Sequence, residues 1–201
     1  AFLTENLEIQ HSLISGSANV GIANLIFLGS SCIYPRLAPQ PISENSFMTG
    51  PLEPTNEGYA IAKIAGIRLC KAIYEELGLN YFSLMPTNMF GPNDNFNLKT
   101  CHVVPALIKR VLSDENPFTA WGSPDVVRDF LYVKDVVKGA LLILEKGELN
   151  TIYNVGTSKP FTIFDIFICY IAPIGVFSYI PFPKDPQFFF DGSYFFIIFV
   201  I

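Results

Sequence analysis

Basic residues are scarce in this chain. Its 201 residues include 13 lysines and arginines against 18 aspartates and glutamates, which gives a net charge of −5, and no segment carries a basic stripe. Binding to nucleic acid depends on such a stripe, because the phosphate backbone must be neutralised. We therefore expect no nucleic-acid partner, and any anionic ligand must be met by a few local cations.

Closely paired cysteines are also absent. The four cysteines are scattered and form no Cys-x-x-Cys pair: Cys32, Cys70, Cys101 and Cys169. This spacing indicates neither a zinc site nor a disulfide framework, so we expect no metal and a reducing, cytoplasmic location. No basic-then-apolar signal peptide opens the chain, and because residue 1 is Ala we expect the natural start to lie upstream.

Apolar residues alternate between helical and strand spacing along most of the chain, without an internal repeat. Helices are predicted at Phe2–Ser17, Tyr59–Leu77, Val104–Leu112 and Val136–Lys146. Strands are predicted at Asn24–Leu28, Tyr81–Met85, Phe118–Trp121, Asp129–Val133 and Thr151–Val155, with loops at Pro35–Pro54 and Thr87–Thr100. Strands that alternate with helices predict an α/β fold, in which a parallel sheet has helices on both faces.

A tyrosine and a lysine stand four residues apart in the second predicted helix. Residues at this spacing share a helix face, roughly 5–6 Å apart at Cβ, so the Lys63 ammonium can lie near the Tyr59 hydroxyl. A free tyrosine titrates near about 10, and a cation is expected to lower that pKa and make the phenol a usable proton donor for a reductase. By itself, the pair is more typical of a solvated helix than of a reductase site.

Hydroxyl groups and a thiol directly follow the strand Asn24–Leu28. The run Gly-Ser-Ser-Cys-Ile-Tyr-Pro places Ser30, Ser31 and Cys32 at the carboxyl end of a buried strand, where α/β folds bind ligands. Serines also cap turns, and a lone cysteine after a strand is often a small buried hydrophobe. The residues alone leave both interpretations open.

Four segments together resemble the GDP-L-fucose synthases, a family of extended short-chain dehydrogenases/reductases. They are Gly29–Pro35, Glu53–Lys63, Met85–Asn88 and Gly91–Phe96, within a similarity that covers about Phe2 to Ile166. The resemblance implies a Rossmann-like parallel sheet with a small C-terminal substrate lobe, NADP(H) as cofactor, and a homodimer. It also implies GDP-4-keto-6-deoxy-D-mannose as substrate, epimerised at carbons 3 and 5 and then reduced at the 4-keto group to GDP-L-fucose.

The resemblance assigns the reduction to Ser30, Tyr59 and Lys63. Ser30 is expected to hydrogen-bond the keto oxygen, Tyr59 to deliver the proton as hydride arrives, and Lys63 to lower the Tyr59 pKa and hold the nicotinamide ribose. The residues expected to line the cofactor are Leu28, Gly29, Ser30, Ser31, Tyr59, Lys63, Pro86, Thr87, Asn88, Met89 and His102.

Epimerisation requires an acid and a base on opposite faces of the carbon that loses its proton. Cys32 and His102 match the family positions for these groups. The keto group acidifies the neighbouring carbon–hydrogen bonds, and a thiol and an imidazole can exchange protons there near neutral pH. For His102, which precedes an apolar helix, a helix cap or a surface position is the structural alternative.

Four residues match positions at which the family contacts the GDP-sugar: Arg110, Trp121, Arg128 and Asp191. Arginine forks suit pyrophosphate oxygens, and a planar ring can pack on the ligand. Arg110 fits a solvated helix face beside Lys109 equally well. Asp191 opens an Asp-Gly-Ser run where the family carries Asp-Gly-Thr.

The resemblance also divides the chain. Residues 1–100 are expected to form the C-terminal half of an NADP-binding Rossmann domain, and 101–201 mainly the substrate lobe, with segments that return to the sheet. The aromatic-rich tail 161–201 departs from the family pattern. Three alternatives remain: a related nucleotide-sugar epimerase or dehydratase, a non-catalytic remnant, and a membrane-associated fragment, because Ile166–Phe182 is uncharged although prolines interrupt it.

The family's glycine-rich phosphate loop is absent from the sequence, which generates a prediction. In this fold the pyrophosphate is held chiefly by backbone amides of that turn and by the following helix N-terminus. Lys63 and the Pro86–Met89 stretch reach only the nicotinamide half, so the chain as given should show no saturable NADPH binding at micromolar concentrations and no turnover. Fluorescence titration measures this, and a micromolar dissociation constant would contradict it.

Overall fold

The computed structural model describes residues 2–113, 123, 125–148, 150–166 and 196–198. The chain divides into two compact units. The first contains Ala1–Thr87, Val136–Val155 and Gly192–Ile201, and the second contains Asn88–Asp135 and Gly156–Asp191. The sequence-based division near residue 100 stays a prediction.

Helices and strands alternate through most of the described residues. In chain order they are α1 (Phe2–Asn19), β1 (Asn24–Leu28), α2 (Glu57–Leu77), β2 (Asn80–Pro86), β3 (Asn88–Phe90), α3 (Val103–Leu112), β4 (Val127–Tyr132), α4 (Val133–Lys146), β5 (Ile152–Val155), β6 (Pro160–Thr162), α5 (Ile163–Ile166) and β7 (Phe196–Ile198). Short 3₁₀ helices lie at Ser31–Ile33, Glu44–Ser46 and Pro54–Asn56.

The centre of the first unit is a four-stranded parallel sheet in the order β5-β2-β1-β7. Strands β1 and β2 pair from Asn24 opposite Asn80 to Leu28 opposite Leu84, so their carboxyl ends reach the same edge. In parallel α/β sheets that edge is where ligands bind. The predicted parallel α/β sheet is confirmed.

Alternate residues of β1 enter two different hydrophobic clusters, because successive side chains of a strand point to opposite faces. Leu25 and Phe27 pack in a cluster that also contains Ile14 of α1 and Ile67 of α2. The intervening Ile26 and Leu28 pack in a second cluster with Ala140 of α4. The sheet therefore carries helices on both faces, as the alternating pattern predicted.

Helix α2 has recognisable signals at both ends. Asn56 precedes it and Glu57 lies in its first turn, where a negative charge favours the helix dipole. Gly78 ends it in the left-handed conformation, at φ 68°, and donates its backbone N–H to the Tyr74 carbonyl at 2.9 Å. The sequence places the end of this helix correctly at Leu77 and its start two residues too late.

The second unit is built on a three-stranded sheet in the order β3-β4-β6. β3 pairs with β4 in parallel, and β4 pairs with β6 in antiparallel. Its core joins helix and sheet through Val104, Leu107, Phe130 and Ile166.

Two short strands of this unit differ from the sequence prediction. Strand β3 lies within Thr87–Thr100, which we predicted as a loop because it is rich in Asn, Pro and Gly, and β6 was not predicted. Both have three residues and depend on pairing with β4 rather than on an apolar run of their own. The strand predicted at Phe118–Trp121 lies outside the described residues.

Within the described part of the chain, no helix combines the length and apolar character needed to cross a membrane. The uncharged segment Ile166–Phe182, on which the membrane alternative rests, lies outside the described residues except for its first one.

Two helix glycines provide a matched test of the α2 packing. A Cβ added to Gly66 would overlap the Phe27 ring and lie 3.1 Å from Gln10 Oε1, whereas a Cβ on Gly16 of α1 would meet nothing within 4 Å. Overpacking a core typically costs about 1–3 kcal/mol, while Gly→Ala in an open helix position gains about 0.5–1 kcal/mol. Gly66→Ala should lower the free energy of unfolding and Gly16→Ala should raise it.

Urea unfolding followed by circular dichroism measures both changes on the same chain. Equal stabilities of the two variants would contradict the close packing of α2 on β1.

Candidate active site

The loop after β1 is held close to the sheet by its first residue. Gly29 donates its backbone N–H to the Leu84 carbonyl at 2.8 Å, and a Cβ at this position would lie 2.5 Å from Met85 Sδ. Glycine avoids this overlap without any movement of the Met85 side chain. The chain can therefore turn directly at the strand end and bring Ser30 and Cys32 to the carboxyl edge of the sheet.

Ser30 makes two contacts. Its hydroxyl oxygen accepts the backbone N–H of Cys32 at 3.3 Å, which caps the 3₁₀ helix Ser31–Ile33. Its side chain also hydrogen-bonds that of Tyr59. The capping alternative is thus correct, and it coexists with a contact to the phenol.

Lys63 is buried, with 1% of its surface exposed. Its Nζ donates a hydrogen bond to the Leu28 carbonyl at 2.8 Å and lies 5.2 Å from the Phe27 ring centre and 5.5 Å from the Tyr59 ring centre. Burial lowers the pKa of Lys63 to about 8, and the negative charge of Cys32 opposes this. A buried lysine beside the phenol excludes the solvated-helix interpretation of the pair.

The half-buried Tyr59 differs from our expectation. Its pKa is raised above 10.0, chiefly by burial and then by the negative charge of Cys32, while the Ser30 hydrogen bond acts in the opposite direction. We predicted a pKa lowered by Lys63; burial, which sequence spacing does not reveal, outweighs that attraction. Tyr59 is therefore protonated at neutral pH, which is the form that can donate a proton.

The Cys32 sulfur is part of the same cluster. The residue is partly exposed, and its sulfur accepts a hydrogen bond from Asn56 Nδ2 at 2.9 Å. The contact is polar, which disfavours the view of Cys32 as a small buried hydrophobe. Sequence reasoning missed Asn56; the available signal was an asparagine just before a helix, three residues from Tyr59, in a position usually assigned to capping.

The residues expected at the nicotinamide half divide between the units. In the first unit, Thr87 donates its backbone N–H to the Val155 carbonyl at 3.0 Å, and its shielded Oγ1 has no hydrogen-bond partner among the described residues. Asn88 and Met89 lie in β3 of the second unit, where the Asn88 amide donates to the Asp129 carbonyl at 3.0 Å. A shielded hydroxyl at the end of β2 fits a polar group of a nicotinamide nucleotide.

Arg110 lies on α3 of the second unit, and His102 directly precedes that helix. The His102 side chain is exposed and makes no capping hydrogen bond within the described residues, which contradicts the cap alternative and agrees with the surface alternative. Arg110 is only 9% exposed, so its assignment to a solvated helix face is wrong. Burying a guanidinium costs free energy unless hydrogen bonds or opposite charges compensate it.

Arg128 is the second residue of β4, directly after Val127, and its side chain is exposed. Its Nη1 donates to the Val127 carbonyl at 2.8 Å. Trp121 and Asp191 lie outside the described residues.

A cavity of about 340 Å³ in the first unit is lined by residues such as Arg68, Cys70, Tyr81 and Ser83 and by none of the candidate residues. It does not mark the reaction site. Among the described residues, no group of three or more His, Cys, Asp or Glu side chains could hold a metal ion.

The depressed pKa of Lys63 should affect how stability depends on pH. The unfolded chain keeps this proton up to about pH 10.5, whereas the folded chain releases it near pH 8, so unfolding takes up a proton between these values. The Lys63 contribution to the free energy of unfolding therefore rises with pH across this window and is lost below about pH 8. Lys63→Met should remove the rise.

Urea unfolding at pH 7, 8, 9 and 10 measures the difference between wild type and variant. Lys71→Met, which changes a half-exposed lysine of the same helix, controls for the loss of one positive charge. Parallel profiles for wild type and Lys63→Met would contradict the burial of this ammonium.

Comparison with known proteins identifies the family. The sequence profile of the NAD dependent epimerase/dehydratase family matches residues 1–156. The GDP-L-fucose synthase of Sinorhizobium fredii is 45% identical over 169 residues, which cover 82% of this chain and 54% of the relative. The probable GDP-L-fucose synthase 1 of Oryza sativa subsp. japonica is 44% identical over 81% of this chain and 51% of its own length.

A solved structure supports the same relationship. The GDP-L-fucose synthetase from Naegleria fowleri bound to NADP has a TM-score of 0.76 at 26% identity, over 82% of this chain and 52% of that one. The chain spans about half the length of the curated relatives it matches. These similarities confirm the resemblance seen in the motifs. The chain belongs to the NAD dependent epimerase/dehydratase family.

Proposed function

We propose that this chain carries the catalytic segment of a GDP-L-fucose synthase, which epimerises GDP-4-keto-6-deoxy-D-mannose at carbons 3 and 5 and reduces its 4-keto group with NADPH. The observation that carries the proposal is the cluster of Ser30, Cys32, Tyr59 and Lys63 at the carboxyl end of β1. The 44–45% identity to GDP-L-fucose synthases supports the choice of substrate.

The reduction uses Tyr59 as the proton donor. When bound, the nicotinamide supplies the hydride that reaches carbon 4 of the sugar. Tyr59, protonated at neutral pH, transfers its hydroxyl proton to the keto oxygen, which Ser30 orients by a hydrogen bond. The phenolate left on Tyr59 is stabilised by the Lys63 ammonium, which lies 5.5 Å from the ring centre.

The burial of Lys63 also allows it to exchange a proton with Tyr59. A pKa near 8 lies close to neutral pH, so the ammonium can also return a proton to Tyr59 after turnover. The raised pKa of Tyr59 means that the phenolate readily takes that proton.

We assign epimerisation to Cys32 and His102. One removes a proton from the carbon beside the keto group, the enolate oxygen is held by Ser30 and Tyr59, and the other returns a proton to the opposite face. No proton is gained or lost overall. The contact of the Cys32 sulfur with an amide donor supports a polar, reactive role for this thiol.

Arg110 and Arg128 are proposed to contact the GDP pyrophosphate, together with Trp121 and Asp191. The burial of Arg110 supports a specific role for its guanidinium. The cofactor contacts are proposed at Leu28, Gly29, Ser31, Pro86, Thr87, Asn88, Met89 and His102 in addition to Ser30, Tyr59 and Lys63.

We further propose a homodimeric, cytoplasmic enzyme. The exposed apolar side chains of Ile9 and Leu13 on α1 support a helix face that a second subunit covers.

In protein expressed from the complete coding sequence, the two activities should separate. GDP-4-keto-6-deoxy-D-mannose in deuterated water without NADPH should take up deuterium at carbons 3 and 5, and Cys32→Ser or His102→Gln should slow this by about 10²–10⁴-fold. Tyr59→Phe should keep the exchange and lose a similar factor in reduction when NADPH is added. NMR of the sugar measures both reactions.

Ser12→Ala serves as a control, because it removes an exposed hydroxyl of α1 that lies outside the proposed site. Conversion of UDP-galactose instead of the GDP-sugar would favour a related nucleotide-sugar epimerase. Reduction by Tyr59→Phe within a factor of two of wild type would contradict the role of the phenol.

A further inference from the structure

The side chain of Asn56, which contacts the Cys32 sulfur, does not cap helix α2. Asn56 stands at the N-cap position of α2, where asparagine side chains normally accept a backbone N–H of the first helical turn. Among the described residues, its side chain makes no such capping bond. It donates from Nδ2 to the Cys32 sulfur instead, at 2.9 Å and across 24 residues of chain.

We propose that Asn56 is a positioning residue, whose amide N–H holds the Cys32 sulfur at the carboxyl edge of the sheet and favours its thiolate form. An amide nitrogen can only donate, so the sulfur must accept. A thiolate accepts hydrogen bonds far better than a neutral thiol, because bonds to an ionised group are the stronger ones. The contact therefore stabilises one protonation state of Cys32 over the other.

The two loops that carry this pair are fixed to each other. The Asn56 backbone N–H donates to the Glu53 carbonyl at 3.0 Å, and the Glu53 carboxylate accepts from the Thr55 hydroxyl at 3.2 Å. The same carboxylate pairs with Arg36 at 3.2 Å, and the Arg36 backbone donates to the Pro51 carbonyl at 3.0 Å. Arg36 lies four residues after Cys32, so these contacts join the loop that carries the sulfur to the loop that carries the amide.

The charged surroundings of the sulfur lie on α2. The negative charge of Cys32 contributes to raising the pKa of Tyr59 and opposes the lowering of the Lys63 pKa, so both groups face it. Lys63 favours the thiolate by attraction, and Asn56 favours it by a directed hydrogen bond. Of the two, only Asn56 fixes where the sulfur lies.

This role rests on the function proposed above, because a thiolate fixed in position is suited to taking a proton from carbon. Its test, however, needs no substrate. The full 201-residue chain is treated with iodoacetamide between pH 6 and 10. Cleavage after Arg36 then releases residues 1–36, in which Cys32 is the only cysteine. Mass spectrometry of this peptide gives the alkylation rate of Cys32 alone, which is recorded across this pH range.

Asn56→Ala should slow the alkylation of Cys32 at pH 7 about tenfold and move its rate profile toward higher pH, because the reactive thiolate loses a hydrogen-bond donor. Asn56→Asp should slow it further, because it removes the donor and places a negative charge near the sulfur. Aspartate caps helices as well as asparagine does, so this second variant keeps α2 intact. The Cys101 peptide of the same sample is the internal control, and Asn45→Ala, an exposed asparagine, is the matched variant.

An unchanged pH profile for Cys32 in both Asn56 variants would overturn the proposal, whatever the enzyme's substrate proves to be. Equal shifts in Asn45→Ala or at Cys101 would also overturn it, because they would indicate a general loosening of the fold. In the complete enzyme, Asn56→Asp should move the pH dependence of deuterium exchange by the same amount and leave KM nearly unchanged. Loss of exchange without that pH shift would count against the positioning role.

Discussion

The hydrogen bond from the Lys63 ammonium to the Leu28 carbonyl joins helix α2 to the carboxyl end of β1. It is buried, and burying an ammonium costs free energy unless its protons are well accepted. The Leu28 carbonyl can accept an ammonium proton because it stands at the last residue of β1, where the hydrogen bonds between strands stop. This bond places Tyr59, one turn earlier on the same helix face, beside Ser30 in the loop that follows the strand.

Burial and the charge of Cys32 act together on the pKa values of Tyr59 and Lys63. The charge of Cys32 raises the proton affinity of both partners, and burial pushes the tyrosine and the lysine in opposite directions. The result is a phenol that stays protonated and an amine that titrates near pH 8. Such a pair favours proton transfer over permanent charge, as the proposed acid–base chemistry requires.

The sequence predicted those features that depend on local pattern. Apolar runs placed β1 exactly and β2 within one residue at each end, and the spacing of Tyr59 and Lys63 predicted their shared face. Features that depend on tertiary contacts could not be predicted from sequence patterns. Burial reversed the expected pKa of Tyr59, and the Asn56–Cys32 contact spans 24 residues that no local pattern connects.

The central claim is that Lys63 is a buried amine held by a backbone carbonyl beside the phenol. Its titration can be followed directly by NMR of the lysine Cε carbons, with Lys63→Met to assign the resonance. The structure predicts a midpoint near pH 8. A midpoint above pH 10, together with the other lysines, would show a solvated ammonium and would contradict the account.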